Sequence, residues 1–121
     1  MTKKILIVED NAMNRALLMA ILKPDGYELL TAENGQIGVE VATRELPDLI
    51  LMDVMLPVMN GYDATRKIKA NPATRHIPIV AVTANAVPTE RDRALDAGCD
   101  GYITKPVDTR ALPNQVKLFL R

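Results

Sequence analysis

The chain has 121 residues, which suits one domain with a sizeable core, and its 15 acidic and 15 basic residues balance. This balance argues against nucleic-acid or membrane binding driven by bulk charge, and no apolar stretch approaches the roughly 20 residues of a membrane span. The start of the chain shows no signal peptide and Cys99 is the only cysteine, so we expect a cytoplasmic protein without an internal disulfide.

Short β-branched runs alternate with longer segments of helical periodicity along the chain. We predict strands at 4–9, 27–32, 48–53, 77–83 and 101–104. We predict helices at 11–23, 35–46, 61–70, 89–98 and 109–120. Five strand–helix units of this kind indicate one α/β domain over residues 1–121, with a parallel sheet covered on both faces. The expected strand order is the flavodoxin-like order 2-1-3-4-5.

Turn and capping residues support this division of the chain. Asn34 and Asn60 each precede a glycine at the predicted start of a helix. Thr89 and Asp92 resemble a capping box for the fourth helix. Pro113 lies where an amide donor would be needed if the last helix began near residue 109, so that helix either starts late or bends.

Several residues are expected to serve packing or to lie in loops. Met13, Met19 and Met52 are predicted core residues, and Cys99 is predicted to be a small packed side chain. His76, the only histidine, precedes the fourth strand and is predicted to be a loop residue. With one histidine and one cysteine, a His/Cys metal cluster is excluded, so oxygen atoms would hold any metal.

Reactive side chains follow four of the apolar strands. Glu9 and Asp10 follow the first strand, Asp53 ends the third, Thr83 ends the fourth and Lys105 follows the fifth. In open α/β sheets, ligands bind beyond the carboxyl ends of the strands, where strand order reverses. In the order 2-1-3-4-5 that point lies between strands 1 and 3, so these groups are expected to share one edge of the sheet.

Three carboxylates in one pocket repel one another, and a divalent cation relieves the repulsion. Hard oxygen ligands and an incomplete protein shell favour Mg²⁺. With the charge offset, Asp53 can attack a phosphorus centre, while Lys105 and Thr83 donate to phosphoryl oxygens. Taken singly, Asp10 is also a candidate helix cap, Thr83 an ordinary strand threonine and Lys105 a surface lysine.

At these residues the chain resembles the receiver domains of two-component response regulators. The resemblance covers essentially the whole chain, is closest to stand-alone receivers of the DivK cell-division type and extends to chemotaxis receivers. It rests on four stretches: 7–11 (IVEDN), 47–57 (PDLILMDVMLP), 82–84 (VTA) and 102–106 (YITKP).

The resemblance implies a role for each acidic residue of the predicted site. Asp53 matches the phosphoacceptor, which takes a phosphoryl group from a histidine of a kinase or phosphotransfer protein. Asp10, Asp53 and the backbone carbonyl of Met55 match the Mg²⁺ ligands. Glu9 matches a second acidic residue that acts through a bound water.

The resemblance also implies a switch. Lys105 and Thr83 match the pair that binds the phosphoryl group, and Tyr102 matches an aromatic side chain that swings inward when Thr83 moves. The face formed by helix 4, strand 5 and helix 5 then changes, and a downstream partner binds it. The Lys105–Pro106 bond is cis in most such proteins.

Two further positions are expected to set the lifetime of the phosphorylated state. In receivers, the residues two after the phosphoacceptor and two after the threonine flank the path of the hydrolytic water, and here they are Met55 and Asn85. Met55 cannot orient a water by hydrogen bonding, whereas Asn85 can. We therefore predict slow to intermediate autodephosphorylation.

The sequence thus predicts a single-domain response regulator, a monomer or weak dimer that binds no nucleic acid or membrane and is no metabolic enzyme. A constitutive receiver-fold adaptor and a receiver excised from a hybrid histidine kinase remain alternatives. An aspartyl-phosphate hydrolase is disfavoured because Met55 occupies the position where such enzymes carry a second aspartate. A flavin-binding electron carrier is disfavoured because aromatic residues are scarce.

Overall fold

The computed structural model describes residues 2–84 and 87–120, and in them five strands alternate with five α-helices. The strands are β1 (Lys4–Val8), β2 (Glu28–Ala32), β3 (Leu49–Asp53), β4 (Ile79–Thr83) and β5 (Gly101–Thr104). The helices are α1 (Ala12–Leu22), α2 (Gly35–Glu45), α3 (Gly61–Ala70), α4 (Pro88–Ala97) and α5 (Leu112–Phe119). All strand pairs are parallel in the order β2-β1-β3-β4-β5, which confirms the predicted topology.

The three central strands are apolar along their length because both faces of the sheet are covered. Every residue of β3 and β4 is buried. Alternate side chains point to opposite faces, so the strands supply two cores. One core lies under α2, α3 and α4 and the other under α1 and α5. This burial fixes the register of the strands, and therefore the height at which each strand ends.

Asparagine side chains cap the N-termini of the first three helices. Asn11 accepts from the amides of Met13 and Asn14, so it and not Asp10 caps α1. Asn34 and Asn60 cap α2 and α3 as predicted. Together these caps satisfy amides that the first turn of each helix leaves without a partner.

The start of α4 differs from the prediction, whereas α5 follows one of the two alternatives that Pro113 left open. The capping box expected at Thr89 is absent, because α4 begins one residue earlier at Pro88 and Val87 provides no side-chain cap. Helix α5 starts late, at Leu112, with Pro113 in its first turn, where no amide donor is needed. The carboxylate of Asp108 instead accepts from the amides of residues 110 and 111 ahead of the helix.

The methionine predictions hold only in part. Met52 is buried and Met19 is half-buried, but Met13 is 81% exposed, so its assignment to the core was wrong. The buried face of α1 is formed by Leu18 and Leu22, which leaves Met13 on the solvent side. As predicted, Cys99 is buried and His76 is exposed outside the strands.

Candidate functional site

Three carboxylates meet at the carboxyl end of the sheet. Glu9 follows β1 and Asp53 ends β3, and these strands are neighbours with Val8 opposite Met52. Oxygen atoms of Glu9, Asp10 and Asp53 all lie within 4.8 Å of one another. Glu9 and Asp53 are only 2% and 6% exposed, whereas Asp10 lies on the surface. The strand ends therefore converge as the sequence predicted.

Lys105 joins two of these carboxylates. Its Nζ lies 2.9 Å from Glu9 Oε1 and 3.4 Å from Asp53 Oδ2. The backbone brings it there because the Lys105 amide donates to the Thr83 carbonyl at 2.6 Å, one step beyond the paired residues of β4 and β5. The next peptide bond, Lys105–Pro106, is cis.

Burial and mutual charge tune the acidic pair. Burial, together with the hydrogen bond and negative charge of Glu9, raises the pKa of Asp53 to about 6, and Lys105 opposes this rise. Burial also acts to raise the pKa of Glu9, but its hydrogen bonds with Asp53, Lys105 and the Asn11 amide lower it overall. The site therefore carries more negative charge than Lys105 alone offsets.

The loop between β3 and α3 folds back onto Asp53. The Met55 amide lies 3.4 Å from Asp53 Oδ1, and the Met55 side chain points to solvent. The Gly61 amide donates to the Val54 carbonyl at 3.0 Å. A Cβ on Gly61 would lie 2.1 Å from the Asp53 carbonyl oxygen, so only glycine permits this approach.

The tip of the same loop is strained. Val58 has a φ of 67°, in the left-handed region that a β-branched residue rarely adopts. The Met59 amide donates to the Pro57 carbonyl at 2.7 Å across it, which closes a three-residue turn.

Thr83 and Tyr102 lie on the other face of the sheet from Asp53. Tyr102 pairs with Ala81, so it shares a face with Thr83, two residues further along β4. That face packs against α3 and α4. Thr83 is 5% exposed and Tyr102 is half-buried. Asn85, the second predicted lifetime residue, lies outside the described residues.

Two contacts near the site were missed by the sequence analysis. Arg15 Nη1 donates to the carbonyls of Glu9 and Asp10, at 2.8 and 3.1 Å. A usable signal existed, since long helical side chains point back toward the N-terminus and Arg15 lies one turn into α1. The Tyr62 hydroxyl hydrogen-bonds the Glu90 carboxylate, joining α3 to α4, and nothing in the local sequence pattern indicated it.

The donor set suits a hard divalent cation. Carboxylate oxygens from two strand ends are the ligands that Mg²⁺ prefers, and the exposed Asp10 leaves the site accessible to water. The buried excess of negative charge around Asp53 also gives a cation something to offset. The residues present therefore fit a magnesium site.

Comparison with known proteins agrees with this geometry. A family model described as the response regulator receiver domain matches residues 5–117. The polar-differentiation response regulator DivK of Brucella ovis is 38% identical over 120 residues, which cover 99% of this chain and 98% of that protein.

Two solved structures are also similar. The receiver domain of a sensor histidine kinase from Pseudomonas aeruginosa PAO1, with a magnesium ion in its active-site cleft, is 38% identical with a TM-score of 0.91 and covers 99% of this chain and 98% of its own. The receiver domain of Saccharomyces cerevisiae Ssk1, crystallised with the histidine phosphotransfer protein Ypd1, is 32% identical with a TM-score of 0.92, and the match covers 98% of this chain and 89% of that chain.

None of the helices described here has the length and apolar character needed to cross a membrane.

Proposed function

We propose that this chain, which belongs to the response regulator receiver domains, accepts a phosphoryl group on Asp53 and thereby changes a surface that partner proteins bind. The observation that carries the proposal is the joining of Asp53 and Glu9 by Lys105 beside the exposed Asp10. A buried carboxylate, a cation and a further acidic pair within reach are the groups that phosphoryl transfer to a carboxylate needs.

The acidic residues would hold Mg²⁺. Asp10, Asp53 and the backbone carbonyl of Met55 are the proposed ligands, with Glu9 acting through a water. When bound, Mg²⁺ would offset the negative charge of the carboxylates and of the incoming phosphoryl oxygens. Because a nearby cation favours the ionised carboxylate, Asp53 would be kept deprotonated, as a nucleophile must be.

The proposed transfer forms one bond and breaks one. An Asp53 carboxylate oxygen attacks the phosphorus of a phosphohistidine, and the phosphorus–nitrogen bond breaks. The electron pair remains on the imidazole, which takes up a proton. Lys105, already 3.4 Å from Asp53 Oδ2, would donate to a phosphoryl oxygen and stabilise the new acyl phosphate. The chain would thus catalyse only its own phosphorylation and dephosphorylation.

A switch would carry the signal to the other face of the sheet. We propose that Thr83 donates its hydroxyl to the phosphoryl group and that Tyr102 then turns inward. Their shared face supports this coupling, because a movement of Thr83 changes the space beside Tyr102. The surface formed by α4, β5 and α5 would then change for a downstream protein.

The phosphodonor is proposed to be a sensor histidine kinase or a histidine phosphotransfer protein. A groove of about 400 Å³ starts at Glu9 and Lys105 and is continued by apolar side chains, among them Leu17 and Val107. Met13 extends α1's exposed apolar surface beside it. An apolar approach to the acidic site suits a protein donor, whose surface would cover it, better than a free anion.

The remaining proposals concern lifetime, compartment and extent. Met55 and Asn85 would set a slow to intermediate rate of autodephosphorylation, and Met55→Asn should change the phosphoryl half-life. An unchanged half-life would refute that role.

The lone, buried Cys99 supports a cytoplasmic location. Residues 1–121 are proposed to form one receiver domain that acts as a monomer or weak dimer.

Incubation with a small phosphodonor tests the function. With Mg²⁺ the wild-type chain should gain one acid-labile phosphoryl group, and Asp53→Asn should gain none. Equal labelling of the two proteins would contradict the proposal.

A constitutive adaptor would instead bind its partner equally well with and without Mg²⁺ and phosphodonor. A kinetic preference for one histidine kinase of its own cell over all others would identify the phosphodonor.

A further inference from the structure

We propose that Arg15 is a positioning residue for the magnesium site, because its guanidinium fixes the β1–α1 loop so that Glu9 and Asp10 stay turned toward Asp53. The inference rests on the proposed function, since it assumes that these carboxylates hold the metal. Arg15 itself would touch neither the phosphoryl group nor the metal. It acts only through the backbone of the two acidic residues.

The contact is made by one nitrogen to two successive carbonyls. Arg15 Nη1 lies 2.8 Å from the Glu9 carbonyl and 3.1 Å from the Asp10 carbonyl. A guanidinium Nη carries two hydrogens, one for each oxygen. Such a contact restricts the orientation of both peptide planes at once, so it also restricts the directions in which the two side chains leave the backbone.

The helix that carries Arg15 is itself firmly held. Asn11 caps its first turn, and Leu18 and Leu22 are buried in the core shared with α5. Arg15 lies between these two points of attachment. The loop is therefore attached to a helix that is itself anchored in the core.

The loop needs such a tie because of its charge and its position. The last paired residues of β1 and β2 are Val8 and Ala32, and only the Glu9 amide continues this pairing, at 3.0 Å from the Ala32 carbonyl. Beyond it the backbone leaves the sheet while carrying two of three mutually repelling carboxylates. Repulsion favours any loop conformation that separates them. The Arg15 contact opposes that movement.

The guanidinium is not committed to a carboxylate. Among residues 2–84 and 87–120, no acidic oxygen forms an ion pair with Arg15 within 4.0 Å. Its Nη1 donates to two backbone carbonyls instead, as expected for a residue that shapes a loop.

Mg²⁺ titration of the amide chemical shifts, with no phosphodonor present, tests this role. Groups that orient metal ligands typically contribute 10- to 100-fold to affinity, so Arg15→Gln should raise the Mg²⁺ dissociation constant by about tenfold. Arg15→Lys keeps the charge but lacks the guanidinium's reach and fork, and it should weaken binding about as much. In the metal-free protein, amides 10–12 should exchange with solvent faster in both variants.

A second destabilised variant separates positioning from simple loss of stability. Asn34→Ala removes the cap of α2, which accepts from the Ile37 amide at 2.8 Å, and should lower the melting temperature without changing Mg²⁺ affinity. The proposal is overturned if Arg15→Gln binds Mg²⁺ within twofold of wild type, or if Asn34→Ala weakens binding equally. Wild-type affinity in Arg15→Lys alone would assign the effect to charge and also overturn it.

Failure of the proposed function would look different. A wild-type chain that binds no Mg²⁺ and takes no phosphoryl group would refute the proposed function itself. A wild-type chain that does both, with an Arg15→Gln variant that binds Mg²⁺ equally well, would refute the positioning role only.

Discussion

The acidic site and helix α4 are attached to the same sheet in contrasting ways. Asp53 ends a strand whose every residue is buried, and Lys105 and Gly61 pack directly against it. In α4 only Ala94 and Ala97 are buried, and its N-cap residue Val87 provides no side-chain hydrogen bond. The contrast indicates a rigid chemical site beside a helix that little apolar contact holds.

This difference bears on how a signal would be passed on. Elements with few buried apolar contacts open at lower free energy than core strands. A helix attached through two alanines can be displaced by an event that leaves the sheet unchanged. The polar contact between Tyr62 and Glu90 is then a substantial part of what holds the start of α4.

The largest expected effect comes from adding a methyl group behind the site. Gly61→Ala places a Cβ 2.1 Å from the Asp53 carbonyl oxygen, with backbone on both sides, so it should cost about 3 kcal/mol or more of unfolding free energy. Gly98→Ala, at the end of α4, should cost about 1–2 kcal/mol, because its φ of 106° disfavours a Cβ. Urea unfolding measures both. Equal costs would break the contrast between the two regions.

The next effect is pH-dependent and concerns the charge at Asp53. Its pKa in the folded chain, about 6, lies above the ordinary value of 3.8, so the folded state binds the proton more tightly and loses stability as pH rises from 4 to 6. Asp53→Asn removes this loss. Without Mg²⁺ the variant should be more stable than wild type by about 2–3 kcal/mol at pH 8, and by little at pH 4.

An exposed carboxyl provides the control for that measurement. Asp25→Asn in the turn after α1 should leave stability within about 0.5 kcal/mol of wild type across this range. Added Mg²⁺ should stabilise wild type and not Asp53→Asn. If Asp53→Asn is no more stable than wild type at pH 8, the buried charge of Asp53 does not destabilise the folded state.

A smaller effect tests the attachment of α4. Burial and the Glu90 hydrogen bond raise the pKa of Tyr62 to about 12, so the phenol stays a donor at neutral pH. Tyr62→Phe should cost about 1–2 kcal/mol and speed amide exchange in α4 while leaving β3 unchanged. Tyr102→Phe should cost less, since within the described part of the chain its hydroxyl forms no hydrogen bond. Unchanged exchange in α4 would refute the anchoring role of the Tyr62–Glu90 contact.

The smallest effect concerns strain beside the site. Asparagine tolerates the left-handed region better than valine, and Val58 is 83% exposed, so Val58→Asn should stabilise the chain by about 1 kcal/mol. Val58→Ala, which removes the same exposed side chain but lacks asparagine's tolerance of this backbone region, should give a smaller gain. A loss of stability at position 58 would mean that the valine side chain makes up for its backbone strain.

The sheet was predictable because apolar runs and punctuation agree. For β3 the predicted segment 48–53 differs from the observed Leu49–Asp53 by one residue. Residue patterns failed where they fitted two helix orientations or two helix starts almost equally well. Helix α1 carries apolar residues on several sides, so the pattern did not reveal that Leu18 faces inward and Met13 outward. At α4, the fixed φ of Pro88 suits the first turn and sets the helix start before Thr89.

In the candidate site too, some contacts could be predicted from the sequence and others could not. Parallel strands end at one edge, so the meeting of Glu9, Asp53 and Lys105 followed from strand assignments alone. The contacts of Arg15 and Tyr62 did not follow, because they depend on the path of a loop and on the spacing of two helices. Those are tertiary features that periodicity does not encode.

Locating the phosphoryl group tests the central claim most directly. Borohydride reduces an aspartyl phosphate to homoserine, which peptide mass spectrometry identifies by position. After treatment with a small phosphodonor and Mg²⁺, homoserine is expected at position 53 and at no other acidic residue. Homoserine at position 10, 5-hydroxynorvaline (the corresponding reduction product of glutamate) at position 9, or neither product in a protein that carries acid-labile phosphate, would contradict the assignment of Asp53 as the phosphoacceptor.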